Sequence, residues 1–226
     1  MAPGVVPAQQ SPAPGSVKMP SAKKKTPIFI GVAVVIVAFV LNVVFFVMPV
    51  LKGTHVGDVV KFGSYEQDGN ILNGKEPIEW RVLEVDGDRA YVVSEKALDA
   101  HAFNEDADDG NDWNSSDLKA WLEEDFASQA FTDDEMNEIN GAPTLLSDDE
   151  ARSYFGSYGM CELTQQAVNN GAYKDEDNGA CVWWLRSSGA DSDFAALVAA
   201  DGYVDSDGYY VNCSDVAVRP ALWINL

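Results

Sequence analysis

PIEWRVLEV (residues 77–85) and RAYVVSEK (residues 89–96) are two β-rich runs joined through Asp86-Gly87. An Asp-Gly pair between such runs is the strongest short hairpin signal, because glycine supplies the positive φ that a tight turn between twisted strands requires. Upstream of this hairpin, DVVKFGSY (58–65) reads as one more short strand. Downstream the period changes from two to about 3.6. SSDLKAWLEEDF (115–126) puts Leu118, Trp121, Leu122 and Phe126 on one helical face. Thr132-x-x-Glu135 and Ser147-x-x-Glu150 have the form of capping boxes, in which side chain and backbone satisfy each other at a helix start. They open short helices carrying Met136 and Ile139, then Ala151, Tyr154 and Phe155; a further helix is expected after Thr164. Beyond Cys181 the β pattern returns in VWWLRSS (182–188), AALVAA (195–200) and VAVRPALWINL (216–226), separated by stretches of Asp, Ser, Gly, Tyr and Asn. Strands, short helices and strands again make an α+β domain over 58–226, with its N- and C-terminal segments expected to share a sheet.

Further upstream the composition breaks. Residues 1–26 hold five prolines with Ala, Gly, Gln and Ser, the make-up of a flexible, partly extended tail. Residues 27–51 read as one transmembrane helix. Ile28 to Leu51 carry no charge, and a helix of that length spans about 36 Å at ~1.5 Å per residue, enough to cross a hydrocarbon core of ~30 Å. A cleaved signal peptide would have a shorter apolar region and a small-residue cleavage site; here the segment ends VMPVLKG. Lys23, Lys24 and Lys25 precede it and only Lys52 closely follows. The positive-inside rule then places the N-terminus in the cytoplasm and the C-terminal domain outside the cell, after a short linker at 52–57.

Every acidic residue lies after position 54, where 36 acidic side chains face 10 basic ones. Such a domain has no basic patch to displace counterions from phosphates, so nucleic acid is excluded as a partner. All six Trp and all eight Tyr also lie after position 54, and that aromatic load builds a core that a disordered acidic segment lacks.

The order GDVVKFGSYEQDGNILNGKEPIEWRVLEVDGDRAYVVSEKALDA, WNSSDLKAWLEEDF, LLSDDEARSYF, WWLRSSG and VAVRPALWINL resembles the bacterial domain family of unknown function DUF6273, from about Val56 to Leu226. The resemblance implies no established activity. The C-terminal layout of a WLRS segment, a variable stretch and a VRPAL ending is similar to C-type-lectin-like folds, among them formylglycine-generating-enzyme-like domains. That similarity implies a compact scaffold displaying a ligand-binding face from its C-terminal part, an expectation by fold analogy.

The stretch from Ser187 to Asp215 is the candidate face. Asp191, Asp193, Tyr203, Asp205, Asp207, Tyr209, Tyr210 and Asn212 combine large amphipathic rings with adaptable polar groups, the mixture that paratopes use. The competing reading is a pair of polar hairpin loops in which Asp201-Gly202 and Asp207-Gly208 only make turns. Trp183, Trp184, Arg186, Arg219 and Trp223 are expected to form the scaffold. Adjacent strand residues face opposite ways, so one Trp should enter the core and the other cover a second surface; the two arginines should pair with acids or carbonyls near the sheet.

Catalysis is not expected. The only histidines are His55 and His101, and GxSxG, HExxH, P-loop and GxGxxG motifs are missing. A carboxylate-based hydrolase is the enzymatic alternative, since many Asp and Glu are present; an envelope-associated structural subunit is another. The run NEDADDGNDWNSSD (104–117) fails the calcium-loop pattern in both frames tried: position 6 from Asn104 is Asp109, and position 12 from Glu105 is Ser116. No cofactor or metal is therefore expected, Ca2+ being the one ion such acidic loops would attract. Cys161 and Cys181 flank a polar, Gly-containing stretch and are the candidate disulfide, leaving Cys213 free. The chain so reads as a membrane-anchored extracellular recognition module for a protein or a glycan.

Overall fold

The computed structural model describes residues 53–226. The tail at 1–26 and the apolar segment at 27–51 lie outside the described residues. Among the described residues, no helix is long and apolar enough to cross a membrane.

The domain is α+β and dominated by two sheets. Strands β1 (Val59–Tyr65), β2 (Glu76–Asp86), β3 (Arg89–Ser94) and β9 (Ala221–Asn225) form an antiparallel sheet in the order β1-β2-β3-β9. The expected hairpin is present, with Gly87 at φ 64° in its turn, and the first and last strands of the domain share this sheet. The second sheet runs β4-β8-β5-β6-β7, from β4 (Asp99–Ala100), β5 (Trp183–Ser188), β6 (Phe194–Val198), β7 (Val204–Tyr210) and β8 (Ala217–Val218).

The inner strands β3, β5, β6 and β9 are largely covered on both faces, whereas the edge strands β1 and β7 keep residues in solvent. One core joins Ile78, Trp80, Val92, Leu222 and Ile224 of the first sheet to Trp184, Leu197 and Val218 of the second. The other takes the opposite-facing residues Tyr91, Val93, Trp183, Leu185, Val198 and Ala217. Alternation along the inner strands thus feeds two cores rather than one core and a solvated face.

The helices are short. α1 (Asp117–Trp121) starts at Ser116, whose hydroxyl accepts from the Lys119 N–H. It passes through a π-helical turn at Leu122–Phe126 into α2 (Ala127–Ala130). Leu118, Leu122 and Phe126 are buried in the first core, whereas Trp121 is only partly covered. The π turn carries the helix past the expected end at residue 126. Both capping boxes are formed, at α3 (Asp133–Met136) and α4 (Asp148–Phe155), and Thr164 caps α5 (Gln165–Asn169). Ile139 lies beyond α3, in an isolated bridge with Ile224, and is buried there, while Met136 is exposed.

Three segments depart from the sequence reading. Residues 216–226 are not one strand: Arg219-Pro220 breaks them into β8 and β9, which belong to different sheets. Proline has no N–H for a ladder, so the chain changes sheet at that point. Residues 204–210, expected as displayed loop, are the edge strand β7. Their pattern hides the strand because Asp205, Ser206, Asp207, Tyr209 and Tyr210 all retain solvent contact. Thirdly, both Trp183 and Trp184 are fully buried. The second surface that one of them covers is itself a core.

Candidate functional site

The eight residues expected to form a face fall at two ends of β7. At one end Tyr209 and Tyr210 stand 5.7 Å apart at their ring centroids, and Phe194 meets Tyr210 edge-on at 4.5 Å. Tyr209 and Tyr210 are 48 % and 46 % exposed. Asp191, Asp193 and Asn212 belong to this end: the Val211 N–H donates to the Asp193 carbonyl at 2.9 Å, and Asn111 Nδ2 donates to the carbonyls of Asp191 and Phe194 at 2.9 and 2.8 Å. At the other end Tyr203 is 59 % exposed, with Arg152 5.9 Å above its ring. At ~3.3 Å per residue, Tyr203 and Tyr210 are roughly 20 Å apart along the strand, so they do not make one small patch.

Two of the aspartates in this region act on their own turns. Asp205 Oδ1 accepts from the N–H groups of Asp207 and Gly208, at 3.0 and 3.3 Å, and Asp201 Oδ1 accepts from the Tyr203 N–H at 3.0 Å. Asp207 is exposed, and its carbonyl accepts from the Ala190 N–H at 2.8 Å, which ties the β5–β6 turn to β7.

The scaffold residues are all engaged. Trp183 Nε1 donates to the Gly159 carbonyl at 3.0 Å and Trp184 Nε1 to the His101 carbonyl at 2.9 Å. Arg186 makes a two-pronged contact with Glu150, at 2.5 and 2.8 Å, and also donates to the Leu145 carbonyl. Burial pushes the Glu150 carboxyl up, but the Arg186 contact and the capping hydrogen bonds at Ser147 outweigh it, so the carboxyl is held below its ordinary value. Arg219 Nε donates to the Ser94 carbonyl at 2.9 Å, and its guanidinium lies 4.9 Å from the ring centroids of both Phe155 and Trp183. Trp223 stacks on Tyr91 at 5.0 Å, and the Arg89 guanidinium lies 4.6 Å from the Trp223 ring centroid.

The acidic run at 104–117 turns its side chains to its own backbone. Asp106 and Asp112 cap two 3-10 turns, and Asn104 is buried, accepting from the Asp117 N–H at 2.9 Å. The carboxylates that do gather were not singled out from the sequence. Glu66, Asp68 and Glu76 each bring an oxygen within 4.8 Å of the others, beside a hollow of about 240 Å³ reached by Gln67, Glu79 and Leu163. They come from the end of β1, the following loop and the start of β2, a proximity that only the pairing of those strands creates. Their oxygens accept from loop N–H groups of Gln67 and Asn70 at 2.8 to 2.9 Å. The arrangement braces the loop and offers three carboxylates to a cation.

Asp99 is the most enclosed carboxylate. It accepts from Tyr65 Oη at 2.6 Å, Asn170 Nδ2 at 2.5 Å and its neighbour's N–H at 2.8 Å, with His101 Nε2 at 3.8 Å. Burial works against its charge, but the nearby His101 and the hydrogen bonds from Asn170 and Tyr65 outweigh it, so it is held below the ordinary carboxylate range. Asp68, Asp148 and Glu150 are lowered as well. That direction suits a fixed anion rather than a proton-donating catalyst, which needs a raised value. His101 packs against Trp121 with ring centroids 4.0 Å apart; among the described residues, no serine or cysteine hydrogen bond to it completes a nucleophile–base pair.

No curated protein and no solved structure matches the chain. The family match covers α4, α5 and strands β5 to β9 and does not reach back to Val56, although β1–β3 share a sheet with β9. Residues 143–226 match the family model described as a domain of unknown function, DUF6273.

Proposed function

We propose that the chain is a membrane-anchored recognition module, held by the apolar 27–51 segment, with its α+β domain outside the cell. In this reading it binds a protein or a glycan at the Tyr209–Tyr210 end of β7. The observation that carries the proposal is a pair of touching, half-exposed tyrosines at the end of an edge strand. Tyrosine offers a large amphipathic surface at small entropic cost, and Asp191, Asp193 and Asn212 supply polar contacts beside it. Function sits where loops are presented by a rigid scaffold, and Trp183, Trp184, Arg186, Arg219 and Trp223 are that scaffold. The C-type-lectin-like comparison belongs to this proposal. It is supported by a last strand that returns to the first sheet and by a C-terminal half that presents turns and an edge.

The test is a glycan-array screen and an extracellular pull-down with the full chain in detergent or nanodiscs, run beside Tyr209→Ala and Tyr210→Ala. Binding that disappears in both variants supports the proposal. Binding unchanged in both, or an orientation that leaves the C-terminal domain protease-protected on intact cells, rejects it.

A further inference from the structure

The core on the Trp183 side contains two sulfur atoms. Cys161 is 3 % exposed and Cys181 is fully buried. Glu162 and Ala180 form an antiparallel bridge, which sets Cys161 and Cys181 opposite each other. The Cys181 N–H donates to the Cys161 carbonyl at 2.9 Å. In such a hydrogen-bonded pair the opposed Cα atoms stand about 5.5 Å apart, close to the commonest disulfide separation of about 5.5–6 Å. The two thiols lie close enough to shift each other's ionisation. Cys213 packs against the other core.

A second feature bears on the same pair. Arg219 is 4 % exposed, and its Nη1 meets no hydrogen-bond partner. A guanidinium does not lose its proton, so it is a fixed positive charge in the core. Its field favours the thiolate on both Cys161 and Cys181. As a thiol, Cys161 is within donating distance of the carbonyls of Glu95 and Glu162, at 3.7 and 3.4 Å. Burial pushes this thiol up; the Cys181 hydrogen bond and Arg219 outweigh burial and bring it below its ordinary value, with Glu95 opposing. The Glu95 carboxylate is itself held by Arg81 at 2.7 Å. Cys181 is pushed up, first by its bond to Cys161 and then by burial. Cys161, which keeps some exposure while Cys181 has none, is the sulfur that an incoming disulfide meets first.

We propose that Cys161 and Cys181 are a dithiol–disulfide couple, with Cys161 as the attacking sulfur. The oxidant is a small or protein disulfide, RSSR. The Cys161 thiolate attacks one sulfur of RSSR, forming a Cys161–SR bond and releasing RS⁻. Cys181 gives its proton to that thiolate and attacks the Cys161 sulfur, and the second RS⁻ leaves. The dithiol has lost two electrons, and RSSR has become RSH and RS⁻. Burial confines the exchange to moments when the segment before Cys161 opens, or to folding itself.

The crosslink braces one turn. The Gly159 N–H donates to the Gly202 carbonyl at 3.1 Å, and Asn178 Nδ2 donates to the Ala200 carbonyl at 3.0 Å. Both chain segments that flank the sulfurs therefore hold the turn between β6 and β7. A Cβ on Gly202 would meet the Met160 nitrogen at 2.8 Å, so the fit leaves no slack.

The experiment uses the full chain, reduced and then equilibrated in glutathione buffers of rising GSSG:GSH ratio. Samples are quenched in acid, alkylated and mapped by mass spectrometry. Loss of two hydrogens without an adduct, mapped to Cys161–Cys181, with Cys213 alkylated, is the expected result. Cys181→Ser should trap one glutathione on Cys161, Cys161→Ser should leave Cys181 unmodified, and Cys213→Ser should still form the crosslink. A link through Cys213, or alkylation of both Cys161 and Cys181 at every ratio, overturns the couple. Glutathione trapped on Cys181 rather than Cys161 overturns the assignment of the attacking sulfur.

Discussion

Trp183 and Trp184 are consecutive residues, both fully buried, and they lie in different hydrophobic cores. Strand alternation sends one indole to each face of the second sheet. Each N–H finds a carbonyl, on Gly159 and His101, at 3.0 and 2.9 Å. The sheet is therefore the wall shared by both cores, and β5 is where they are pinned to each other.

Replacing either indole should be costly for the same reason. Trp183→Ala and Trp184→Ala should each lose about 3–5 kcal/mol of unfolding free energy. Phenylalanine at either position keeps much of the volume but strands a buried carbonyl, which costs about 1–3 kcal/mol. Denaturant titration of the full chain, followed by tryptophan fluorescence, measures both. Equal stability of an alanine variant and the parent would contradict the two-core arrangement.

Gly208 sits in β7 at φ 81°, and an added Cβ would run into the backbone carbonyl of Ala195 on β6. Gly208→Ala combines backbone strain with that collision and should cost at least about 1–3 kcal/mol. By contrast, Gly87→Ala meets open space at φ 64° and should bear only the conformational part. The difference between the two melting temperatures reads out the closeness of β7 to β6.

Acid should destabilise the domain in a definable window. Asp99, Asp148 and Glu150 are all held below their ordinary values in the fold. A depressed folded value contributes stability that is present above the unfolded value, about 3.9 for Asp and 4.3 for Glu. It is lost as the pH falls through the folded value. The melting temperature should thus hold above about pH 5 and drop below pH ~4. Glu150→Gln should flatten part of that drop, because Gln does not titrate. An unchanged acid limb in this variant would assign the loss elsewhere.

The strands and caps were legible where a residue type has one local use. Asp86-Gly87, Thr132-x-x-Glu135 and Ser147-x-x-Glu150 each state a backbone geometry, and each is present. The strand β7 was not legible, because an edge strand with Asp205, Asp207 and two exposed tyrosines carries the composition of a loop. The sheet change at Arg219-Pro220 was hidden by a continuous apolar pattern, although the proline signals a ladder break. The Glu66, Asp68 and Glu76 group depends on how β1 pairs with β2, and the Tyr65–Asp99 contact on how β1 meets β4 of the other sheet. Such long-range proximity has no local sequence pattern. For the displayed residues, exposure was legible and convergence was not: composition marked Tyr203 and Tyr210 alike, and strand length separates them.

That separation gives the sharpest test of the proposed face. Tyr203 and Tyr209 should tolerate alanine with melting temperatures almost unchanged, because surface substitutions usually stay within about 0.5 kcal/mol. Tyr210 should cost more, about 0.5–1.5 kcal/mol, since its ring meets Phe194 edge-on at 4.5 Å. Binding should follow a different order. If the ligand sits at the Tyr209–Tyr210 end, each of those alanines should weaken it by at least about 2 kcal/mol, a hot-spot loss. Tyr203→Ala, roughly 20 Å away along β7, should leave affinity unchanged. A ligand lost in all three variants would have to span the whole strand, as an added extended peptide would. Unfolding by alanine at each of the three positions would make those rings part of the core, and the face would have to be sought elsewhere.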